Sequence, residues 1–115
     1  VGSDNKAKCR PFTFVGEIDE KLWFCTDNQH EAYMDMQYNP WIEFAGPGSE
    51  NSWMRLSGKA VFEENMEAKK ICLSVPLVKE YYKTADNPAL AVFYLADAHA
   101  QIADMYENSP KRYDL

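Results

Sequence analysis

The short gaps between its strand-like segments constrain this chain more than any other feature. Lys8 to Ile18 and Lys21 to Thr26 are separated only by Asp19-Glu20, and Ala98 to Met105 follows Leu90 to Ala96 almost at once. The loop that opens Gly46-Pro47-Gly48-Ser49 is all that parts Trp41 to Ala45 from Trp53 to Glu63. Parallel strands need crossovers of about a dozen residues or more, whereas an antiparallel pair can turn in about two. Most neighbouring strands are therefore expected to be antiparallel.

The segments are rich in β-branched and aromatic residues and bounded by turn residues, as strands are. With Asp19 and Glu20 as the turn, Phe14 falls opposite Cys25 and Thr13 opposite Thr26, alternate residues facing opposite sides. In Trp53 to Glu63, Met54, Leu56, Ala60 and Phe62 share one face, the expected core side. Ala96-Asp97 reads as the turn of a second hairpin, between Leu90 to Ala96 and Ala98 to Met105.

Two or three helices are expected between the strands. Asn28 with Glu31 forms a capping-box pattern for a helix of about three turns, which Asn39-Pro40 ends. Asn65 starts a second, with Glu63, Glu64 and Glu67 ahead of Lys69 and Lys70, the order that the helix dipole favours. Pro76 suits the first turn of a third, in Val75 to Lys83. The whole reads as one mainly β (α+β) domain over residues 1–115, a barrel with inserted helices whose core is 8–106 and whose polar tail, 107–115, is expected to be loose.

A net charge of −6 with three arginines leaves no continuous basic surface for nucleic acid or an anionic membrane. No apolar run approaches the roughly 20 residues that span a bilayer. Cys9, Cys25 and Cys72 are an odd set without Cys-x-x-Cys spacing, which argues against a disulfide framework and for a reducing, cytoplasmic setting.

Several chemistries find no motif. Gly46-Pro47-Gly48-Ser49 lacks the lysine of a phosphate-binding loop, and no Gly-x-Ser-x-Gly elbow is present. His99 has no second histidine or carboxylate at metal-ligand spacing, so no metal role is assigned to it. Glu63, Glu64 and Glu67 are explained by their place at a helix start. Trp23, Trp53, Phe93 and Tyr94 read first as core or interface aromatics. One group remains: the first hairpin brings Arg10 near the helix that begins after Asn28, where free backbone N–H groups, Thr26, His30 and Arg10 are able to hold a phosphate. A capped helix after a hairpin accounts for the same residues.

The order Arg10-Pro11-Phe12, Leu22-Trp23-Phe24-Cys25-Thr26-x-Asn28, Tyr33, Asn39-Pro40, Trp53-x-Arg55-x-Ser57-Gly58 and Val92-Phe93-Tyr94-Leu95 resembles the pyridoxamine 5′-phosphate oxidase-like, general-stress-type FMN-binding proteins from about Arg10 to Met105. The resemblance implies an antiparallel six-stranded split β-barrel, a homodimer, and FMN in a cleft to which both subunits contribute. It places Arg10, Pro11, Phe12 and Thr13 along the flavin and ribityl chain, Cys25, Thr26, Asn28 and His30 at the ribityl and phosphate, and Trp53 and Arg55 on a neighbouring strand. Cys25, in an apolar strand with no second cysteine near it in sequence, reads as an inert packing residue near that cofactor.

Two departures stand out. Similar sequences usually carry lysine where this chain has His30, and a neutral imidazole attracts a phosphate dianion less than an ammonium does. An N-terminal helix and first strand are also implied, of which only Val1 to Ala7 offers a remnant, so two strand edges are expected to be uncovered. The function implied is an FMN-dependent oxidoreductase acting on a small molecule, in which the cofactor carries the chemistry. The alternatives are a non-catalytic flavin-binding or stress-response module, and a split barrel that holds haem or a deazaflavin.

Overall fold

A computed structural model describes residues 1–106 and 111–115. Its elements are β1 (Thr13–Ile18), β2 (Lys21–Asp27), α1 (Glu31–Tyr38), β3 (Trp41–Pro47), β4 (Ser52–Phe62), α2 (Met66–Cys72), α3 (Pro76–Tyr82), β5 (Leu90–Asp104) and β6 (Lys111–Asp114). One antiparallel sheet has the order β1-β2-β5-β4-β3, with β6 also paired to β5.

The sheet is strongly curled. Between β2 and β3 lie β5 and β4, a path of roughly 14 Å at about 4.8 Å per strand if the sheet were flat. Yet the rings of Phe24 on β2 and Phe44 on β3 stack with centroids 4.3 Å apart. Phe12, just ahead of β1, meets Phe44 edge-on at 5.6 Å. The two ends of the sheet thus approach across an aromatic interior without hydrogen-bonding to each other, which gives a split barrel.

Period-2 alternation gives each strand an inner and an outer side. Inside, Phe24, Leu56, Ala60, Phe93 and Leu95 pack with Ala32 and Met36 of α1. Outside, Ile18, Trp23, Cys25, Leu90 and Val92 pack with Ala68 and Cys72 of α2, which lies on β1, β2 and β5. Of the side predicted as core in β4, Leu56 and Ala60 are buried and Phe62 packs against the inner cluster, whereas Met54, near the turn, is exposed.

The first hairpin turns at Asp19 and Glu20 as expected, both with positive φ (52° and 62°), the geometry that suits a two-residue connection. Its register differs from expectation: Gly16 pairs with Trp23 but Phe14 with Phe24 and Thr13 with Cys25. Val15 is the extra residue of a bulge, and one inserted residue moves every later partner by one. β1 also starts at Thr13 rather than near Lys8, consistent with Pro11 having no N–H to give a ladder.

A larger correction concerns β5, which runs unbroken through the expected turn at Ala96-Asp97. Asp97 has φ 51°, and the pairing with β4 shifts between Ser57↔His99 and Lys59↔Ala96. Asp97 therefore marks a bulge, for which a left-handed Asp serves as well as it does in a turn. Gly58 lies against it; a Cβ there would stand 2.9 Å from the Ala96 carbonyl oxygen and 3.3 Å from the Ala98 Cα.

The helix expectations divide. Asn65 accepts a hydrogen bond from the Ala68 N–H at 3.0 Å, and Pro76 opens α3, both as the sequence suggests. The capping box at Asn28 does not form. α1 begins at Glu31 with His30 as an N-cap whose side chain makes no cap bond, and Asn28 Nδ2 instead donates to the Pro88 carbonyl at 2.6 Å. The eight residues of α1 make little more than two turns. Of the tail expected to be loose, 111–114 forms a strand on β5, and 107–110 lies outside the described residues.

The expectation against a disulfide is overturned. Cys25 on β2 and Cys72 at the end of α2 are disulfide-bonded, with Cα atoms 6.8 Å apart and a sequence separation of 47. Local spacing carries no signal for such a bridge, which follows from α2 lying across β2. Cys9 is free and exposed. Among the described residues, no helix is long and apolar enough to cross a membrane.

Beside the bridge, the Tyr82 hydroxyl of α3 donates to Asp27 Oδ2 at 2.8 Å. Burial, and then this carboxylate, push the phenol above its ordinary value. The contribution of a group raised in this way is complete below the free phenol value, near 10, and fades as pH rises through the folded value. Tyr82→Phe is thus expected to cost about 2 kcal/mol in urea unfolding at pH 7. The difference from the parent should persist to about pH 10 and shrink only above it.

Candidate functional site

Two adjoining clefts occur along β3, β4 and β5. The larger, of about 880 Å³, is bordered by Arg10, Pro11 and Phe12 of the irregular segment before β1 and by Trp41, Ile42 and Phe44 of β3. A cavity of this size is typical for a drug-sized ligand or cofactor. Pro11, Phe12 and Trp41 make its margin apolar, and Trp41 is 56% exposed.

The second cleft, of about 450 Å³, follows directly from register. Glu43, Ser57, His99 and Asp114 form one cross-strand row over β3, β4, β5 and β6; Ala45, Arg55, Gln101 and Arg112 form the next. Alternate residues on a strand share a face, so both rows lie on one side of the sheet. Glu43, Ser57 and His99 border both clefts. His99 Nδ1 is 2.7 Å from Asp114 Oδ1, and Arg55 Nη2 donates to Gln101 Oε1 at 2.6 Å.

The residues singled out in the sequence are distributed unevenly. Arg10, Pro11 and Phe12 border the larger cleft and Arg55 the smaller. Arg10 does reach α1, but by its acidic side chains: Nη2 lies 2.8 Å from Asp35 Oδ2 and 3.6 Å from Glu31 Oε2. Thr13 pairs with Cys25, whose sulfur is bonded to Cys72 in the outer core. Thr26, Asn28, His30 and Trp53 border neither cleft. His30 is 64% exposed, with Nε2 3.8 Å from Asp27 Oδ2.

The sequence reading missed Trp41, Gln101, Arg112 and Asp114 as cleft residues, and assigned His99 no metal role. Strict alternation in β3 carried a signal for Trp41. Arg112 and Asp114 carried none, because their segment reads as a polar tail.

The fit to FMN is partial. Apolar and aromatic walls in the larger cleft suit an isoalloxazine ring. Its basic side chains are already engaged, Arg10 with Asp35 and Glu31 and Lys8 with Asp4 at 3.2 Å. Among the described residues, no lysine or arginine side chain of this cleft is left without a carboxylate partner for a phosphate dianion.

No family model matches the sequence, and no curated protein matches it. Solved structures do. A NimC/NimA family protein from Clostridium acetobutylicum is 27% identical with a TM-score of 0.80, covering 92% of this chain and 74% of that one. A protein related to general stress protein 26, of the pyridoxinephosphate oxidase family and the same organism, is 13% identical with a TM-score of 0.73, covering 99% and 80%. A pyridoxamine 5′-phosphate oxidase-related, FMN-binding protein from Nostoc punctiforme is 13% identical with a TM-score of 0.64, covering 97% and 74%. A haem-binding protein from Mycobacterium smegmatis is also similar in structure, at a TM-score of 0.63 and 18% identity. The curled sheet, its helices and these likenesses agree: this chain has the split-barrel fold of the pyridoxamine 5′-phosphate oxidase-like proteins, the NimC/NimA and general stress protein 26 types among them.

Proposed function

We propose that this protein binds FMN as a homodimer, with the flavin ring in the larger cleft, and acts as an oxidoreductase on a small molecule. The observation that carries this reading is the cleft itself, which the Arg10-Pro11-Phe12 segment and the exposed Trp41 both border beside an aromatic core. An apolar margin of this kind favours both a planar ligand and a second copy of the chain. Bound flavin supplies hydride or electron transfer, and the surrounding side chains bind and orient it. Asp35 and Glu31 fix the Arg10 guanidinium, whose remaining N–H groups are free to donate to ring oxygen or nitrogen atoms. Phe12 and Trp41 exclude water from the ring.

FMN titration tests this, read by flavin fluorescence with light scattering for the mass. Saturable quenching by a particle of two chains is expected, weakened about ten-fold or more in Trp41→Ala. Because His30 stands outside both clefts, His30→Lys should leave the affinity unchanged. A folded protein that stays monomeric and does not quench FMN would refute the reading. A Soret band in the purified protein would point to haem instead, and oxidation of a reduced nicotinamide by the FMN-loaded dimer would separate an oxidoreductase from a flavin carrier.

A further inference from the structure

The chain has three arginines. Arg10 is held by two carboxylates. Arg55 and Arg112 have no carboxylate within 4 Å among the described residues, and both border the smaller cleft. Arg55 has the neutral Gln101 as its hydrogen-bond partner. In a protein of net charge −6, the two arginines that have no acidic partner among the described residues thus face one another across a single strand.

Register fixes their relation. Arg55 on β4 pairs with Gln101 on β5, and Gln101 pairs with Arg112 on β6. Two strand spacings put the arginine Cα atoms roughly 10 Å apart, within reach of two long side chains converging above Gln101. Guanidinium groups bind planar and tetrahedral oxyanions through paired N–H donors, and Gln101 adds an amide donor to the same row.

The acidic residues of the cleft lie in the other row. Glu43 and Asp114 stand about 7 Å further along the strands, at two residues of about 3.3 Å each, and Asp114 is engaged by His99. The Arg55–Gln101–Arg112 row is thus the part of the cleft that favours negative charge.

We propose that Arg55 and Arg112 form an anion subsite, which takes the phosphate or carboxylate group of a small molecule bound beside the larger cleft. This subsite holds whether the anion belongs to a flavin or to a second ligand. It differs from the group of Arg10, Thr26, Asn28 and His30 that the sequence suggested, in which Arg10 is committed to α1 and His30 lies beside Asp27.

Inorganic phosphate is the probe. It would be titrated into the full chain at constant ionic strength, so that screening does not change, while the arginine side-chain Nε–Hε resonances are followed by NMR. Saturable shifts are expected at Arg55 and Arg112 and not at Arg10, with affinity about ten-fold weaker in Arg55→Gln and again in Arg112→Gln. Both side chains are exposed, and the amide spectrum of each variant reports that it is folded. FMN and riboflavin then separate the sources. Displacement of phosphate by FMN and not by riboflavin assigns the anion to the cofactor, whereas phosphate retained in the presence of either assigns it to a second ligand. Absence of saturable shifts up to about 100 mM phosphate, or shifts that survive both substitutions, overturns the proposal.

Discussion

Reduction of the Cys25–Cys72 disulfide is expected to lower the unfolding free energy by about 4 kcal/mol and the melting temperature by roughly 15 °C. The bridge spans 47 residues, and closing a loop of that length removes entropy from the unfolded chain equivalent to about 4 kcal/mol at room temperature. The contribution is large because a domain of this size has only about 5–15 kcal/mol in all. The bridge also ties α2 to the outer face of the sheet, where Ala68 and Cys72 are almost wholly buried. Thermal unfolding with and without a phosphine reductant measures the effect, and a Cys25→Ala/Cys72→Ala variant should melt low and ignore the reductant. A reduced protein that melts within about 2 °C of the oxidised one would show that helix packing alone holds this face together.

Phe24→Ala should be about as costly, at roughly 4 kcal/mol. Phe24 is 5% exposed and its ring meets those of Phe14 at 5.3 Å, Phe44 at 4.3 Å and Phe93 at 5.6 Å. Together with Phe12 it joins the two arms of the curled sheet through Phe44, so truncation leaves a cavity that relaxation fills only in part. Phe24→Leu keeps most of the volume and should cost about 1.5 kcal/mol. Phe14→Ala, at a residue 55% exposed, should cost within about 1 kcal/mol. Urea midpoints of the three variants decide it. Equal losses for Phe14→Ala and Phe24→Ala would mean that the sheet does not close on Phe24.

What was legible in the sequence was local. The Asp19-Glu20 turn, the Asn65 cap and Pro76 at the start of α3 each express a preference that a few neighbouring residues satisfy by themselves. Bulges are less visible because one residue type serves two geometries. Asp97 is left-handed in the middle of β5, where the same residue would also suit a turn. Capping at Asn28 failed because α1 begins later, at Glu31 with His30 as its N-cap, while the Asn28 amide is turned to the Pro88 carbonyl, 60 residues away. The bridge, the β6 pairing and the Arg10–Asp35 contact join segments 47, 15 and 25 residues apart, and no window on the sequence contains both members.

The candidate site shows the same division. Arg55 borders a cleft because strand alternation fixes which side it faces, whereas Arg10, Pro11 and Phe12 border theirs from the irregular segment before β1. The partner of Arg10 and the row of Arg112 depend on how distant elements meet. The charge logic of the two clefts therefore became visible only when α1 and β6 were in place.

One consequence of β5 concerns the order in which the protein is made. The β1–β2 and β3–β4 hairpins bond to each other through nothing but β5, whose residues follow both in the chain. As synthesis proceeds from the N-terminus, each hairpin is free to form by local contacts. The hydrogen-bond ladder that joins them needs residues 90–104, which pair with both β2 and β4. The step that creates the barrel is thus the arrival of a late central strand between two earlier arms, and the aromatic interior is most open to wrong partners just before it.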